Sequence, residues 1–178
     1  ASSCVDLLGI WFLEMEDYMI ESYAKQCMLT RLRALEPWYV ENPWTASLKG
    51  KKVLVIHPFE DTIRRQYARR EELFPGTEIL PEFEALYTVK AVQTMVGARD
   101  GRFKDWFEAL EWMYEEAVKF DFDVAIIGCG AYGFPLAARL KRAGKIAVHM
   151  GGATQILFGI KGNRWDQNST VGKLYNES

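Results

Sequence analysis

The chain has 178 residues, of which 49% are hydrophobic and 26% charged, an ordinary composition for one globular domain with a real core. Its formal net charge of −2 gives no basic footprint, so nucleic acid is not expected as a partner. No apolar stretch approaches the roughly 20 residues that span a bilayer, and no signal peptide is visible. Three scattered cysteines without CxxC spacing indicate a reducing, cytoplasmic environment and argue against a disulfide framework or a zinc site.

The two ends of the chain carry separate expectations. The sequence starts at Ala1 rather than Met and soon enters an apolar run, as expected for either a processed chain or a piece of a longer protein. The last residues, 162–178, are polar and non-periodic, so we expect a flexible tail. We interpret residues 1–178 as a single α/β domain.

Predicted strands and helices alternate along the chain. Apolar runs predict strands near residues 4–10, 28–35, 53–56, 83–89, 123–127 and 146–148. Apolar residues at helical spacing predict helices over 14–25, 59–73, 103–119 and after the glycines at 128–133. This alternation indicates a doubly wound α/β fold with a mainly parallel sheet and helices on both faces.

Three of these segments are expected to meet at one edge of the sheet. His57, the loop 128–133 and the loop 149–152 each follow a predicted strand directly. The carboxyl ends of parallel strands share one edge, and α/β proteins bind ligands there. Because glycine turns and helix starts offer backbone N–H groups to anions, the sequence predicts a pocket for a phosphorylated ligand.

The first glycine turn matches the dinucleotide fingerprint, with Gly128, Gly130 and Gly133 spaced as G-x-G-x-x-G between a strand and a helix. We expect these glycines to let the backbone approach a diphosphate; the alternative is that they only permit a tight turn and close helix packing. An NAD site also needs an acidic residue at the end of the next strand. That strand ends in His149, so NAD is disfavoured.

His57 and His149 are the only two histidines of the chain. With an ordinary pKa near 6.5, either imidazole is suited to act as an acid or base or to donate to a phosphate. The alternative is that both are structural. They are weaker candidates as metal ligands, because no carboxylate cluster is spaced to complete a coordination shell.

The second glycine turn adds further candidate ligand-binding residues. Gly151 and Gly152 precede Thr154 and Gln155, which offer polar contacts at a helix start, and Thr154 is equally suited to be a cap. Tyr132, in the first turn, is expected either to stack on a base or sugar or to cover the loop. The D-x-D motif at 121–123 precedes its strand, so we interpret it as a strand-entry feature at the opposite edge.

Three stretches resemble a bacterial family found with surface-polysaccharide synthesis: KGKKVLVIHPFEDTI, RFKDWFEALEWM and DVAIIGCGAYGFPLAARLKRAGKIAVHMGGATQILFGIKGNRW. This family has GT-D-like domains, related to the GT-D-fold glycosyltransferases, and the resemblance runs over about residues 5–166. It implies a Rossmann-like fold, a nucleotide-sugar donor and a divalent metal, Mn or Mg, bound with the diphosphate.

The chain departs from the family at its acidic motif. GT-D enzymes use D-x-E near the start of the domain, whereas this sequence contains no D-x-E. The early acids Glu14, Glu16 and Asp17 do not fit the pattern, so no metal role is assigned to them.

Three functions from different classes follow from the sequence. The first is a glycosyltransferase-type domain that binds a nucleotide sugar, or another phosphorylated small molecule, at the glycine edge. The second is a non-catalytic ligand-binding or scaffold domain of a polysaccharide-assembly protein. The third is an NAD(P)-linked oxidoreductase.

Overall fold

The computed structural model describes residues 1–94 and 100–162. Its strands are β1 (Leu7–Ile10), β2 (Met28–Arg31), β3 (Lys52–His57), β4 (Ala85–Lys90), β5 (Val124–Ile127) and β6 (Ile146–His149). Its α-helices are α1 (Glu16–Tyr23), α2 (Glu60–Tyr67), α3 (Arg70–Leu73), α4 (Trp106–Val118), α5 (Gly133–Arg142) and α6 (Ala153–Leu157). Short 3-10 helices cover Ser2–Cys4, Leu32–Leu35, Pro37–Tyr39, Trp44–Leu48 and Gly130–Tyr132.

The main sheet has four parallel strands in the order β4-β3-β5-β6. Its two central strands, β3 and β5, are buried almost throughout, as their uninterrupted apolar runs predict. Side chains of α4 and α5 pack on one face, around Leu54 and Ile127. Side chains of α2 and α6 pack on the other, around Val55 and Ile126. The prediction of an α/β fold with a mainly parallel sheet and helices on both faces is confirmed.

A second, two-stranded parallel sheet lies at the start of the chain, where β1 pairs with β2 and α1 connects them. We call residues 7–31 the amino-terminal unit. The strand expected over 28–35 ends at Arg31, because the chain turns into a 3-10 helix at Leu32. Lys141 of α5 holds the residue just before this unit, Asp6, whose Oδ1 atom is 2.6 Å from the lysine Nζ atom.

Several local signals in the sequence correspond to the observed elements. Asp105 caps α4 by accepting a hydrogen bond from the Glu108 N–H, and Gly144 takes a left-handed φ of +80° after α5. The helix expected over 59–73 is two helices, α2 and α3, which are interrupted at Ala68 and Arg69.

The tail from residue 163 on lies outside the described residues. Among the helices of residues 1–94 and 100–162, none has both the length and the apolar character that crossing a bilayer requires.

Candidate functional site

The strand order places a topological switch point between β3 and β5. The chain leaves β3 for β4 on one side, and β5 lies on the other side of β3. In open α/β sheets such a point opens a crevice at the carboxyl ends of the two strands, where ligands bind. Here the two strands end at His57 and Ile127, and the Gly128 N–H bonds to the Ile56 carbonyl at 2.9 Å. The structure therefore brings the first glycine turn and His57 together.

At two glycines of the fingerprint, the space that a Cβ atom would occupy is already filled by the side chain of another residue. A Cβ atom on Gly128 would lie 2.6 Å from His57 Cδ2 and 2.7 Å from Thr154 Cβ. A Cβ atom on Gly133 would lie 2.2 Å from His149 Cε1. These glycines allow the two imidazoles to pack directly against the turn and the start of α5.

Gly130 and Gly151 have a different environment. Their φ angles are +58° and +57°, in the left-handed region that favours glycine, and a Cβ atom on either would meet nothing within 4 Å. The open space beside both residues leaves their backbone accessible from outside. Of the candidate glycines, these two combine a left-handed φ with open space beside the residue.

His57 is a buried, neutral imidazole at the end of β3. The residue is 3% exposed, and its Nδ1 atom accepts a hydrogen bond from the Phe59 N–H at 3.1 Å. Because Nδ1 accepts, the proton of the neutral ring is on Nε2, which is a donor. Burial lowers the pKa of His57 from 6.5 to about 4, so the ring is uncharged at neutral pH.

His149 has the opposite tautomer. Its Nδ1 atom lies 3.3 Å from the Ile127 carbonyl oxygen, and a carbonyl only accepts, so Nδ1 carries the proton and Nε2 is the free acceptor. Burial lowers the pKa of His149, and this hydrogen bond partly opposes the shift. The same carbonyl accepts from the N–H groups of Met150 and Gly151, at 3.1 and 3.2 Å, which joins the ends of β5 and β6.

The other predicted ligand-binding residues lie in different surroundings. Thr154 is fully buried, and its Oγ1 atom has no hydrogen-bond partner among the described residues. Gln155 donates to the Ile160 carbonyl at 3.4 Å, and Gly152 precedes α6 as its N-cap residue. Tyr132 is buried, and its ring stacks on Trp106 at 4.9 Å between centroids and 8° between planes. The stacked Tyr132 ring is thus already engaged by the protein.

Lys90 is a cation at this edge that was not among the residues predicted from the sequence. Lys90 ends β4 and pairs in register with His57, and its Nζ atom lies 3.9 Å from Glu60 Oε1 in the first turn of α2. The sequence feature that could have identified Lys90 is the one used for the histidines: a polar residue directly after a predicted strand.

The described residues do not provide a metal site. Within residues 1–94 and 100–162, no group of three or more histidine, cysteine or carboxylate side chains is placed to hold an ion. The D-x-D acids lie at the amino edge, where Asp123 accepts from the Lys52 N–H at 2.9 Å and Asp121 pairs with Lys52 Nζ at 2.8 Å. The prediction that this motif precedes its strand, at the edge opposite the glycine turns, is confirmed.

A depression of about 410 Å³ opens at the amino edge and includes Arg70, Glu71 and Glu82 in its lining. Arg70 already pairs with both glutamates at 3.5 Å. This depression is remote from the glycine turns, and its guanidinium is neutralised by the protein itself.

Comparison of the chain with family models, curated proteins and solved structures gives no match. The GT-D-like resemblance therefore stays a prediction.

Proposed function

We propose that the edge of the sheet at the carboxyl ends of β3 and β5 binds the diphosphate of a nucleotide sugar, and that the chain is a glycosyltransferase-type domain of bacterial polysaccharide biosynthesis. The observation that carries the binding site is the pair of open, left-handed glycines, Gly130 and Gly151, beside a topological switch point. The donor class and the setting come from the resemblance alone.

The edge offers several kinds of donor to a diphosphate. Gly130 begins the turn that leads into α5, a helix without an acidic residue in its first turn, and the start of a helix attracts anions. His57 Nε2–H donates without carrying a charge, and the exposed Lys90 ammonium, 3.9 Å from Glu60, lies at the end of β4. In this proposal these groups stabilise the leaving diphosphate electrostatically, while His149 Nε2 accepts a proton or a hydrogen bond from the acceptor side.

A non-catalytic ligand-binding or scaffold domain is the second candidate. The described edge holds two imidazoles and one lysine but no cluster of carboxylates for the divalent metal that the resemblance implies. The same donors bind a phosphate without any transfer step.

The test is a thermal-shift panel of UDP-, GDP-, dTDP- and CMP-sugars with and without Mn²⁺, together with NAD(P)H, since a ligand of the folded state raises Tm. A shift with one nucleotide sugar, with or without Mn²⁺, supports the proposed binding site. Release of the sugar from that donor in a turnover assay then separates the transferase from the binding domain, and a shift with NAD(P)H alone favours the oxidoreductase. No shift with any of these ligands contradicts the proposal.

A matched pair of variants tests the placement of the ligand. Gly130→Ala and Gly50→Ala both add a methyl group at a left-handed residue with nothing within 4 Å, so they impose similar backbone strain. Gly50 lies before β3 at the amino edge. We expect Gly130→Ala to weaken binding about tenfold or more, about 1.4 kcal/mol, and Gly50→Ala to leave affinity unchanged. Equal affinities in titration calorimetry would place the ligand elsewhere.

A further inference from the structure

Glu60 is the most buried carboxylate among the ion pairs of the described residues. Its side chain is 12% exposed, against 21% or more for every other carboxylate in those pairs. Its ion-pair partner, Lys90, lies 3.9 Å from Oε1, which is beyond hydrogen-bond distance. No described residue donates a hydrogen bond to the Glu60 carboxylate. Because covering a carboxylate without hydrogen bonds is costly, Glu60 has unused acceptor capacity.

This carboxylate lies at the same edge of the sheet as the proposed phosphate donors. Glu60 begins α2, three residues after β3 ends at His57. Its neighbour Lys90 is the register partner of His57, and adjacent strands are about 4.8 Å apart. A carboxylate repels a phosphate, so a ligand bound here would meet Glu60 with a different part of its structure.

The residue before Glu60 offers an aromatic ring. Phe59 is 42% exposed, and its ring centroid lies 5.2 Å from that of His57. The Phe59 N–H donates to His57 Nδ1 at 3.1 Å, which fixes the backbone at this position without a ligand. Ligand sites combine apolar or aromatic walls with a few polar groups that fix orientation. Phe59 and Glu60 provide one of each, side by side.

A carboxylate next to an exposed aromatic ring suits a hydroxylated ring. The two carboxylate oxygens only accept hydrogen bonds, and they accept from two donors at once. A vicinal diol presents two hydroxyl donors side by side, without a charge that Glu60 would repel. Hydrogen bonds from hydroxyl groups to a carboxylate are charge-assisted and therefore strong.

We propose that Glu60 binds a vicinal diol on a sugar ring of the ligand, with Phe59 packed against that ring and the diphosphate at the glycine turns. The inference rests on the proposed function, since it needs the diphosphate at this edge. The diol belongs either to the ribose or to the transferred sugar, and the chemistry of recognition is the same. Glu60 then determines specificity, because it favours a sugar-bearing diphosphate over bare pyrophosphate.

A purely structural role for Glu60 is the alternative. An acidic residue in the first turn stabilises a helix through the helix dipole, and both Glu60 and Asp61 lie in the first turn of α2. The Asp61 side chain is 68% exposed, and its Oδ1 atom accepts from Arg64 at 2.6 Å. Asp61→Asn is therefore the matched control. Like Glu60→Gln it removes one negative charge from this turn, but it leaves the buried acceptor in place.

The test is titration calorimetry of the whole chain with inorganic pyrophosphate, UDP and UDP-glucose, repeated with GDP and GDP-mannose. We expect Glu60→Gln to weaken binding of a nucleotide or nucleotide sugar about tenfold or more, because charged hydrogen bonds are lost. We expect the same variant to bind pyrophosphate as tightly as wild type or several-fold more tightly, because a nearby negative charge is gone. We expect Asp61→Asn to leave the affinity for the nucleotides unchanged.

The ligand series also identifies which diol is bound. A loss in Glu60→Gln that appears with UDP, but not with 2′-deoxy-UDP, assigns the diol to the ribose. A loss that appears with UDP-glucose alone assigns it to the transferred sugar. The pair GDP and GDP-mannose distinguishes the same two sources if the site prefers guanine.

A second pair of variants tests the aromatic ring. Phe59→Leu removes the ring and keeps an apolar side chain, and we expect several-fold weaker binding of the nucleotides with unchanged binding of pyrophosphate. Phe59→Tyr keeps the ring, and we expect it to keep the wild-type affinities. Circular dichroism shows whether each variant is folded.

The failure of this inference differs from the failure of the proposed function. Equal effects of Glu60→Gln on pyrophosphate and on the nucleotides, or equal effects of Glu60→Gln and Asp61→Asn, would overturn the role of Glu60 and leave the diphosphate site standing. Binding of pyrophosphate without binding of any nucleotide would also overturn it. A wild-type chain that binds none of these ligands would overturn the proposed function, and this inference with it.

Discussion

The two parallel sheets of this protein are built alike and buried very differently. Both contain a strand, a helix and a second strand paired in parallel. In the main sheet β5 is buried at every position, because α4, α5, α2 and α6 cover its faces. In the amino-terminal unit, by contrast, Gly9 is the one strand residue that is buried. Strand pairing satisfies backbone hydrogen bonds in both sheets, but only covered faces add a large hydrophobic contribution.

The largest effect that separates the two sheets is expected from a matched pair of leucine truncations. Leu54 on β3 is fully buried, and Leu29 on β2 is 51% exposed. We expect Leu54→Ala to lower the free energy of unfolding by about 2–5 kcal/mol, because it leaves a cavity. We expect Leu29→Ala to lower it by about 0.5 kcal/mol or less, because the side chain is half exposed. Urea denaturation of both variants gives the two values.

Comparable losses for these two variants would contradict the description of the amino-terminal unit as open.

A change of pH is expected to have an effect of intermediate size on the free energy of unfolding. The effect comes from the main sheet, because both histidines lie there. The pKa of His57 is about 4 in the folded chain against 6.5 ordinarily, so between these values the unfolded state binds the proton more readily. The stability that the folded chain keeps by holding His57 neutral is fully present above pH 6.5 and is lost as the pH falls toward 4. His57 alone accounts for about 1.5 kcal/mol between pH 6.5 and about pH 5.

The measurement is urea denaturation of wild type and His57→Gln at several pH values in that range. Carboxylates titrate in both proteins and cancel in the difference. We expect the slope of unfolding free energy against pH to be smaller in His57→Gln. Identical slopes would show that His57 is not the buried neutral group described here.

The smallest effect concerns the connection between the two regions. Lys141 donates to Asp6 Oδ1 and to the Cys4 carbonyl, at 2.6 and 2.7 Å, but its side chain is 40% exposed. Lys141→Ala is therefore expected to cost less than about 1 kcal/mol of global stability. Amide hydrogen exchange should accelerate in β1 and β2 and stay unchanged in β3 and β5. The neighbouring Arg142→Ala serves as the control.

Much of the main sheet was predictable because its signals are local. The run Val53–Ile56 contains three β-branched residues, and α4 has a clear apolar face with Asp105 as its cap. The limits of β2 were less predictable, since apolar residues recur along the whole of 28–35 and nothing local separates a strand from a 3-10 helix. The separation of β1 and β2 from the main sheet depends on tertiary packing, which the spacing of apolar residues along the sequence does not indicate.

The candidate site was predictable in location and less so in detail. Position after a strand is enough to bring His57, Gly128 and His149 to one edge. The sequence does not distinguish the glycines that make room for an imidazole, Gly128 and Gly133, from those with open space beside them. That distinction depends on which side chain crosses the turn, a contact between residues far apart in the chain.

The strand order of the main sheet also has a consequence for synthesis on the ribosome. As the chain emerges, β3 and β4 pair first, β5 then joins the free edge of β3, and β6 joins the free edge of β5. No strand has to insert between two that have already paired. The sheet therefore grows outward from β3 in the order of translation. At each stage the next strand pairs with a strand edge that is already exposed, first that of β3 and then that of β5.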